Sequence, residues 1–364
     1  MVEKFGADAL RWTVISGMGL GVDVRLDHAD LEKAFAPGRN FATKLWNIGR
    51  FLLTSVGTDD VRTLAQVPAE SLTRADRWIL ARLNLAIAEC NAALGHARPP
   101  GTTWPVDLRN DGLRLNDYAE SARRFVWNEL ADWYVEAAKP RITAGGDGRD
   151  VARAVLVHVF DQALRLLHPI MPFITEEMAQ RLPGRPAGAF VATAPWPVAT
   201  APVDGAGDFD TVRRSVDAIR ALRTVAGIGP GQRVTAFLIP VAGSPGIGSL
   251  LRDEAALIGA LARADVEVRE TLDRRGLREF CGTHEVDLPV TNLPAEARDR
   301  ECKKARTESE QLAKQLASLT ARLSNESFLA RAKPDVVDAE RKKEADWTAK
   351  LAQLEVKVGA LCGG

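Results

Sequence analysis

The chain has 364 residues, enough for two or three domains and a sizeable buried core. Lys plus Arg total 48 and Asp plus Glu total 48, so net charge argues neither for nor against a phosphate-bearing partner; what matters is where the basic groups cluster. Cys90, Cys281, Cys302 and Cys362 form no CxxC pair and have no histidine at ligand spacing, which argues against a structural zinc site. Scattered thiols of this kind are expected to stay reduced, as in a cytoplasmic protein. Glu3, Lys4, Asp8 and Arg11 exclude a signal peptide or a membrane span at the start.

Up to about Leu182 the apolar residues recur with helical period. Asn40–Thr54 carries Phe41, Leu45, Ile48, Phe51 and Leu52 at three- and four-residue steps. Leu72–Leu94 carries Trp78, Ile79, Leu83, Leu85 and Ile87, and Leu113–Ala138 is rich in aromatic residues. Val151–Leu167 ends at His168-Pro169, where proline interrupts the helix, and Thr175-Glu176-Glu177 reads as a fresh start with acids in its first turn. Long amphipathic helices with short connections predict an antiparallel bundle.

Pro183–Gly207 is rich in Pro, Gly and Ala and reads as a linker or surface excursion. Val212, Val216, Ile219, Leu222 and Val225 then mark a helix face. Val234–Ile239, Val266–Val268 and His284–Val290 read as short strands, with a helix at Leu250–Leu261, so a small α/β unit is predicted. In the last seventy or so residues two charged helices show heptad seams, Leu312, Leu316, Leu319, Leu323 and Trp347, Leu351, Leu354, Val358, Leu361. A turn within Ser324–Pro334 folds them into an antiparallel coiled-coil hairpin about 40 Å long. That register sets Leu312 near Trp347, and Cys302 and Ala305 opposite Leu354 and Val358. The predicted fold is mainly α, divided as a junction segment 1–36, a bundle 37–184, a linker 185–207, an α/β unit 208–293 and the hairpin 294–364.

No reaction chemistry emerges. There is no GxxxxGK[ST] loop, and Gly17-Met-Gly19-Leu-Gly21 lacks the strand and helix a phosphate loop needs. None of His28, His96, His158, His168 and His284 sits in a nucleophile motif. No catalytic and no metal-binding residue is assigned.

Several stretches resemble the valyl-tRNA synthetase family of class I aminoacyl-tRNA synthetases. KFGADALR at Lys4–Arg11 looks like the segment after that family's KMSKS loop. RNFATKLWNIGRF at Arg39–Phe51, FVWNELADWYVEAAKP at Phe125–Pro140 and LRLLHPIMPFITEE at Leu164–Glu177 look like helices of its anticodon-binding domain. LSNESFLARAKPDVVDAE at Leu323–Glu340 resembles the coiled-coil arm that separates the valine enzymes from their isoleucine and leucine relatives. Asp30–Gly38, with Pro37-Gly38, departs from the family by a few extra residues.

The resemblance implies tRNA recognition, with tRNA(Val) as partner, and an enzyme joining valine to tRNA with ATP and Mg²⁺ supplied outside this chain. The HIGH and KMSKS motifs are absent, so the chain alone is expected to be inactive and to hold no cofactor. A truncated gene, an assembly fragment and one half of a split enzyme all remain open, the last with a separate catalytic half as partner. A monomer is expected, with no membrane association. By resemblance Lys44, Asn47, Arg50 and Phe51 meet the anticodon; spacing alone favours a core Phe51 and a solvated Arg50. Arg213, Arg214, Arg220 and Arg223, together with Arg331, Lys333, Arg341, Lys342 and Lys343, are candidate contacts to the tRNA backbone. Asp8 and Arg11 are expected to brace a junction with a catalytic domain, next to apolar surface around Phe5, Leu10 and Trp12. The alternatives are a fragment of an isoleucine or leucine enzyme, a coiled-coil scaffold that grips another protein, and an orphan fragment.

Overall fold

The computed structural model describes residues 2–17, 19, 30–57, 61–95, 113–186, 188–200, 203–229, 231–271, 276–289, 295–325 and 334–362. The chain divides into two compact units, Met1–Phe209 and Asp210–Gly364.

The first unit is helical. After a short turn at Val2–Phe5 come helices Ala7–Ser16, Leu31–Val56, Arg74–Ala93, Leu115–Arg124, Val135–Ala144, Gly146–Leu167 and Pro172–Ala179. Between Arg124 and Val135 the chain stays helical but widens into a π-helix over Phe125–Tyr134. Its core holds Phe35, Phe41, Trp78, Tyr118, Phe125, Tyr134, Phe160 and Phe209, all fully buried. Leu85, which the periodicity places among the apolar set, is instead 42% exposed.

The Leu31–Val56 helix begins nine residues earlier than its apolar pattern predicts. Asp30 caps it by accepting the Lys33 N–H at 3.1 Å. Pro37 lies inside this helix and cannot donate an intrahelical bond. Gly38 has a specific packing role. A Cβ there would stand 2.8 Å from the Ala9 carbonyl oxygen, so glycine lets the Ala7–Ser16 helix cross closely.

That crossing corrects one expectation. Phe5 and Trp12 are buried by this chain itself, Phe5 stacked on Phe35 at 5.2 Å and Trp12 against Phe41 at 4.8 Å, with Leu10 partly buried beside them. Buried Asp8 and exposed Arg11 both bond to the bundle. Asp8 accepts the N–H groups of Phe173 and Ile174, and Arg11 donates to the carbonyls of Pro169 and Ile170.

The stretch read as a linker is tied to the bundle. Trp196 Nε1 donates to Asn91 at 2.6 Å, Val191 N–H donates to Glu176, and the Thr200 N–H donates to Asn84. Its ring contact with Tyr118, 6.4 Å between centroids, adds apolar cover.

The second unit opens with the remainder of the Asp208–Val225 helix and a four-stranded sheet: β1 Val234–Pro240, β2 Ala264–Val268, β3 Gly276–Phe280 and β4 His284–Pro289. The order is β2-β1-β4-β3, with β1 parallel to β2 and the other neighbours antiparallel. A helix, Ile247–Ala262, makes the crossover that a parallel pair requires. Strand β3 was not predicted; it is an edge strand whose Phe280 is exposed, so it carries little apolar signal.

Helices Ala295–Leu323 and Pro334–Cys362, 29 residues each, pair along Leu312, Leu319, Leu354 and Leu361. The hairpin is as predicted, but its register and its cysteines are not. Thr320 Oγ1 donates to Glu344 at 2.6 Å, and Cys302 faces Cys362, one turn beyond Val358. These two cysteines form a disulfide with Cα atoms 5.4 Å apart, contrary to the expectation of reduced thiols. Their separation of 60 residues hides the pairing from any local motif. Cys90 and Cys281 are free and buried.

Candidate nucleic-acid interface

The Leu31–Val56 helix buries Phe41, Leu45, Ile48 and Leu52 and turns the opposite side outward. Of the four predicted anticodon residues, Asn47 and Arg50 are exposed and have no side-chain partner among the described residues. Lys44 is engaged: its ammonium meets Asp132 at 2.7 Å and lies 5.3 Å from the Trp127 ring centroid. Phe51 is half-buried, with the Lys139 ammonium 5.4 Å from its ring centroid and Lys139 itself paired with Glu136 at 2.5 Å. The π-helical turn and the helix after it thus supply Trp127, Asp132, Glu136 and Lys139 around this row. Trp46, missed in the sequence, is 40% exposed one turn before Arg50. Its signal was legible, since a tryptophan lies off the seam of Phe41, Leu45, Ile48 and Leu52.

A buried polar set ties the Arg74–Ala93 helix to the π-helix and the helix that follows it. Asp76 is fully buried and takes both guanidinium nitrogens of Arg141 at 2.7 and 2.8 Å, and the Tyr134 hydroxyl at 2.6 Å. Burial alone would raise the Asp76 carboxyl, yet Arg141, Tyr134 and Thr73 together hold it below the ordinary carboxylate value. Asp76 also closes a capping box with Thr73 at the start of the Arg74–Ala93 helix.

The four arginines of the second unit differ in exposure. Arg213 is half-buried and pairs with Asp210 at 3.1 Å, while Arg214 is exposed and donates to the Asp210 carbonyl. Arg220 is exposed and donates to the Leu261 carbonyl at 3.1 Å. Arg223 is withdrawn as an RNA contact. It is only 6% exposed, and its guanidinium donates to the carbonyls of Ala262, Arg263, Gly229 and Gln232. Its place was readable, because Arg223 continues the four–three–four steps of Val212, Val216 and Ile219 on the buried face.

On the arm, Arg341, Lys342 and Lys343 are all exposed, with the Lys343 ammonium 4.6 Å from the Trp347 ring centroid. Arg331 and Lys333 lie outside the described residues. No group of metal-binding side chains and no helix long and apolar enough to cross a membrane occurs among the described residues.

Residues 109–238 match the family described as the anticodon-binding domain of tRNA ligase, and residues 299–361 match the valyl tRNA synthetase tRNA binding arm. The chain is 34% identical to the valine–tRNA ligase of Prochlorococcus marinus and 33% identical to that of Carboxydothermus hydrogenoformans, over 97% and 99% of its length. The chain belongs to the valine–tRNA ligase family. It spans 38% of the length of these relatives and corresponds to their C-terminal, tRNA-binding region. Within the valine–tRNA ligase family, then, residues 109–238 carry the match to the anticodon-binding domain, and the hairpin carries the match to the tRNA-binding arm.

Proposed function

We propose that this chain holds tRNA(Val) at two places, reading the anticodon with the Leu31–Val56 helix and gripping the outer corner with the arm. The observation that carries the reading is the row Trp46, Asn47 and Arg50, exposed on a helix whose other face is core. Anticodon bases are unpaired and splayed, so an exposed indole can stack on one while an amide and a guanidinium bond to base edges. Lys44 exchanges Asp132 for a phosphate or a base edge, and Phe51, stiffened by Lys139, forms the floor. On the arm Arg341, Lys342 and Lys343 meet backbone phosphates, which position the RNA without reading its sequence. Arg214 and Arg220 offer further exposed cations, while Arg213 offers a half-buried one.

In this reading the whole enzyme is cytoplasmic and monomeric, and it joins valine to its tRNA through valyl-adenylate with ATP and Mg²⁺. A catalytic portion outside this chain carries those steps. The test is Arg50→Glu in the full chain, with valine tRNA binding followed by fluorescence anisotropy. Loss of about tenfold in affinity, ~1.4 kcal/mol, is expected for a direct contact. Unchanged affinity would remove Arg50 from the interface, and salt-independent or absent binding would favour a protein-gripping scaffold.

A further inference from the structure

The bridged cysteines stand at a defined point of the arm. Cys302 lies two turns into the first helix and Cys362 is the last residue of the second, which also touches β3. The Cα separation of 5.4 Å is one that a disulfide spans without backbone movement. Both residues are partly exposed, so a small thiol or disulfide can reach them. The other two cysteines contrast with them: burial pushes the Cys90 and Cys281 thiols up, to about 12 and about 11, where thiolate is scarce.

Without the bridge the hairpin still has its seam, with Ala305, Leu312, Leu319, Leu354 and Leu361 buried. Leu361 packs the final turn onto the seam, but that turn's last four carbonyls have no intrahelical partner, so it is the part of the helix most prone to fray once the bridge is open. We propose that Cys302 and Cys362 are a reversible oxidation site that clamps the base of the arm when bridged and releases the end of the terminal helix when reduced. The oxidant is a low-molecular-weight disulfide of the glutathione class. One cysteine thiolate attacks it and expels one thiol, forming a mixed disulfide. The second thiolate then attacks that bond at the protein sulfur and expels the other thiol. The two protein thiols lose two protons and two electrons, and the oxidant becomes two thiols.

The consequence for RNA rests on the tRNA reading given above. A clamped arm has less freedom to lose on binding, so the bridged form should grip more tightly. The full chain is reduced with a phosphine, freed of it, and divided between buffers holding the oxidised and the reduced low-molecular-weight thiol. Alkylation with peptide mass analysis reads the bridge, limited proteolysis reads the terminal helix, and anisotropy reads tRNA affinity.

In the oxidised buffer Cys302 and Cys362 should resist alkylation and appear as one linked peptide. The reduced chain should be cut in the terminal helix about tenfold faster, as locally opened helices are. It should also bind tRNA about three- to tenfold more weakly, as surfaces that lose preorganisation do. Cys302→Ser and Cys362→Ser should show the reduced values in both buffers. Free thiols after oxidation, or equal digestion of the two forms, would overturn the clamp. Failure to bind tRNA in either state would overturn the tRNA reading alone, because digestion still decides the clamp.

Discussion

The carboxylate of Asp8 accepts the backbone N–H of Ile174 at 2.7 Å, across a sequence separation of 166. Its second oxygen takes the N–H of Phe173 at 3.3 Å, so Asp8 caps the Pro172–Ala179 helix, which has no side-chain cap of its own. Asp8→Ala should lower the stability of the bundle by about 1–2 kcal/mol, in the range of other caps. Asp8→Asn keeps an acceptor and should cost less. Chemical denaturation followed by tryptophan fluorescence checks this, and equal midpoints for Asp8→Ala and the wild type would show that the cap contributes nothing.

Arg141 offers a sharper case, because Asp76 has no access to water. Replacing Arg141 with Met should cost about 3–5 kcal/mol by leaving a buried charge uncompensated. Replacing Asp76 and Arg141 together with apolar residues should cost less than Arg141→Met alone. A double-mutant cycle measures the difference, and additive losses would contradict the coupling.

Arg223 separates structure from RNA contact. Arg223→Met should destabilise the second unit by about 2–4 kcal/mol, since several carbonyls lose their donor. At a temperature where the variant is folded, its affinity for tRNA should match the wild type. Reduced affinity there would return Arg223 to the interface.

His284 supplies a pH dependence. Ser215 Oγ gives its proton to the Thr211 carbonyl, so His284 Nε2–H donates to Ser215 at 2.8 Å, with Thr283 on the Nδ1 side. Burial first, and Arg214 second, lower this imidazole to about 4 from its ordinary 6.5. The unfolded chain takes up a proton below about 6.5, while the folded unit resists until about 4. The stability of the second unit therefore falls as pH drops through that window, by about 3 kcal/mol in total. A histidine NMR titration checks it; a His284 midpoint near 6.5 would be the contrary result.

Periodicity made most of the fold legible. The seam of Phe41, Leu45, Ile48 and Leu52 and the heptads of the arm each face a core, and burial imposes that spacing. The cover over Phe5 and Trp12 was not legible, because nothing local says which distant helix supplies it. Nor was the disulfide, which depends on a register one turn away from the one the leucines suggest. At the candidate interface the sequence named Asn47 and Arg50 as anticodon contacts, and both are exposed. It overlooked Trp46 and the partners Asp132 and Lys139, which a separate helical stretch brings in. Basic residue type alone could not tell buried Arg223 from exposed Arg214.

The most direct test of the account is a titration of the full chain with valine tRNA and with the same tRNA carrying a changed anticodon, at two salt concentrations. The account predicts tighter binding to the native anticodon at both salts, with both affinities falling as salt rises. Equal affinity for the two RNAs would contradict an anticodon-reading face and leave only a phosphate-gripping arm.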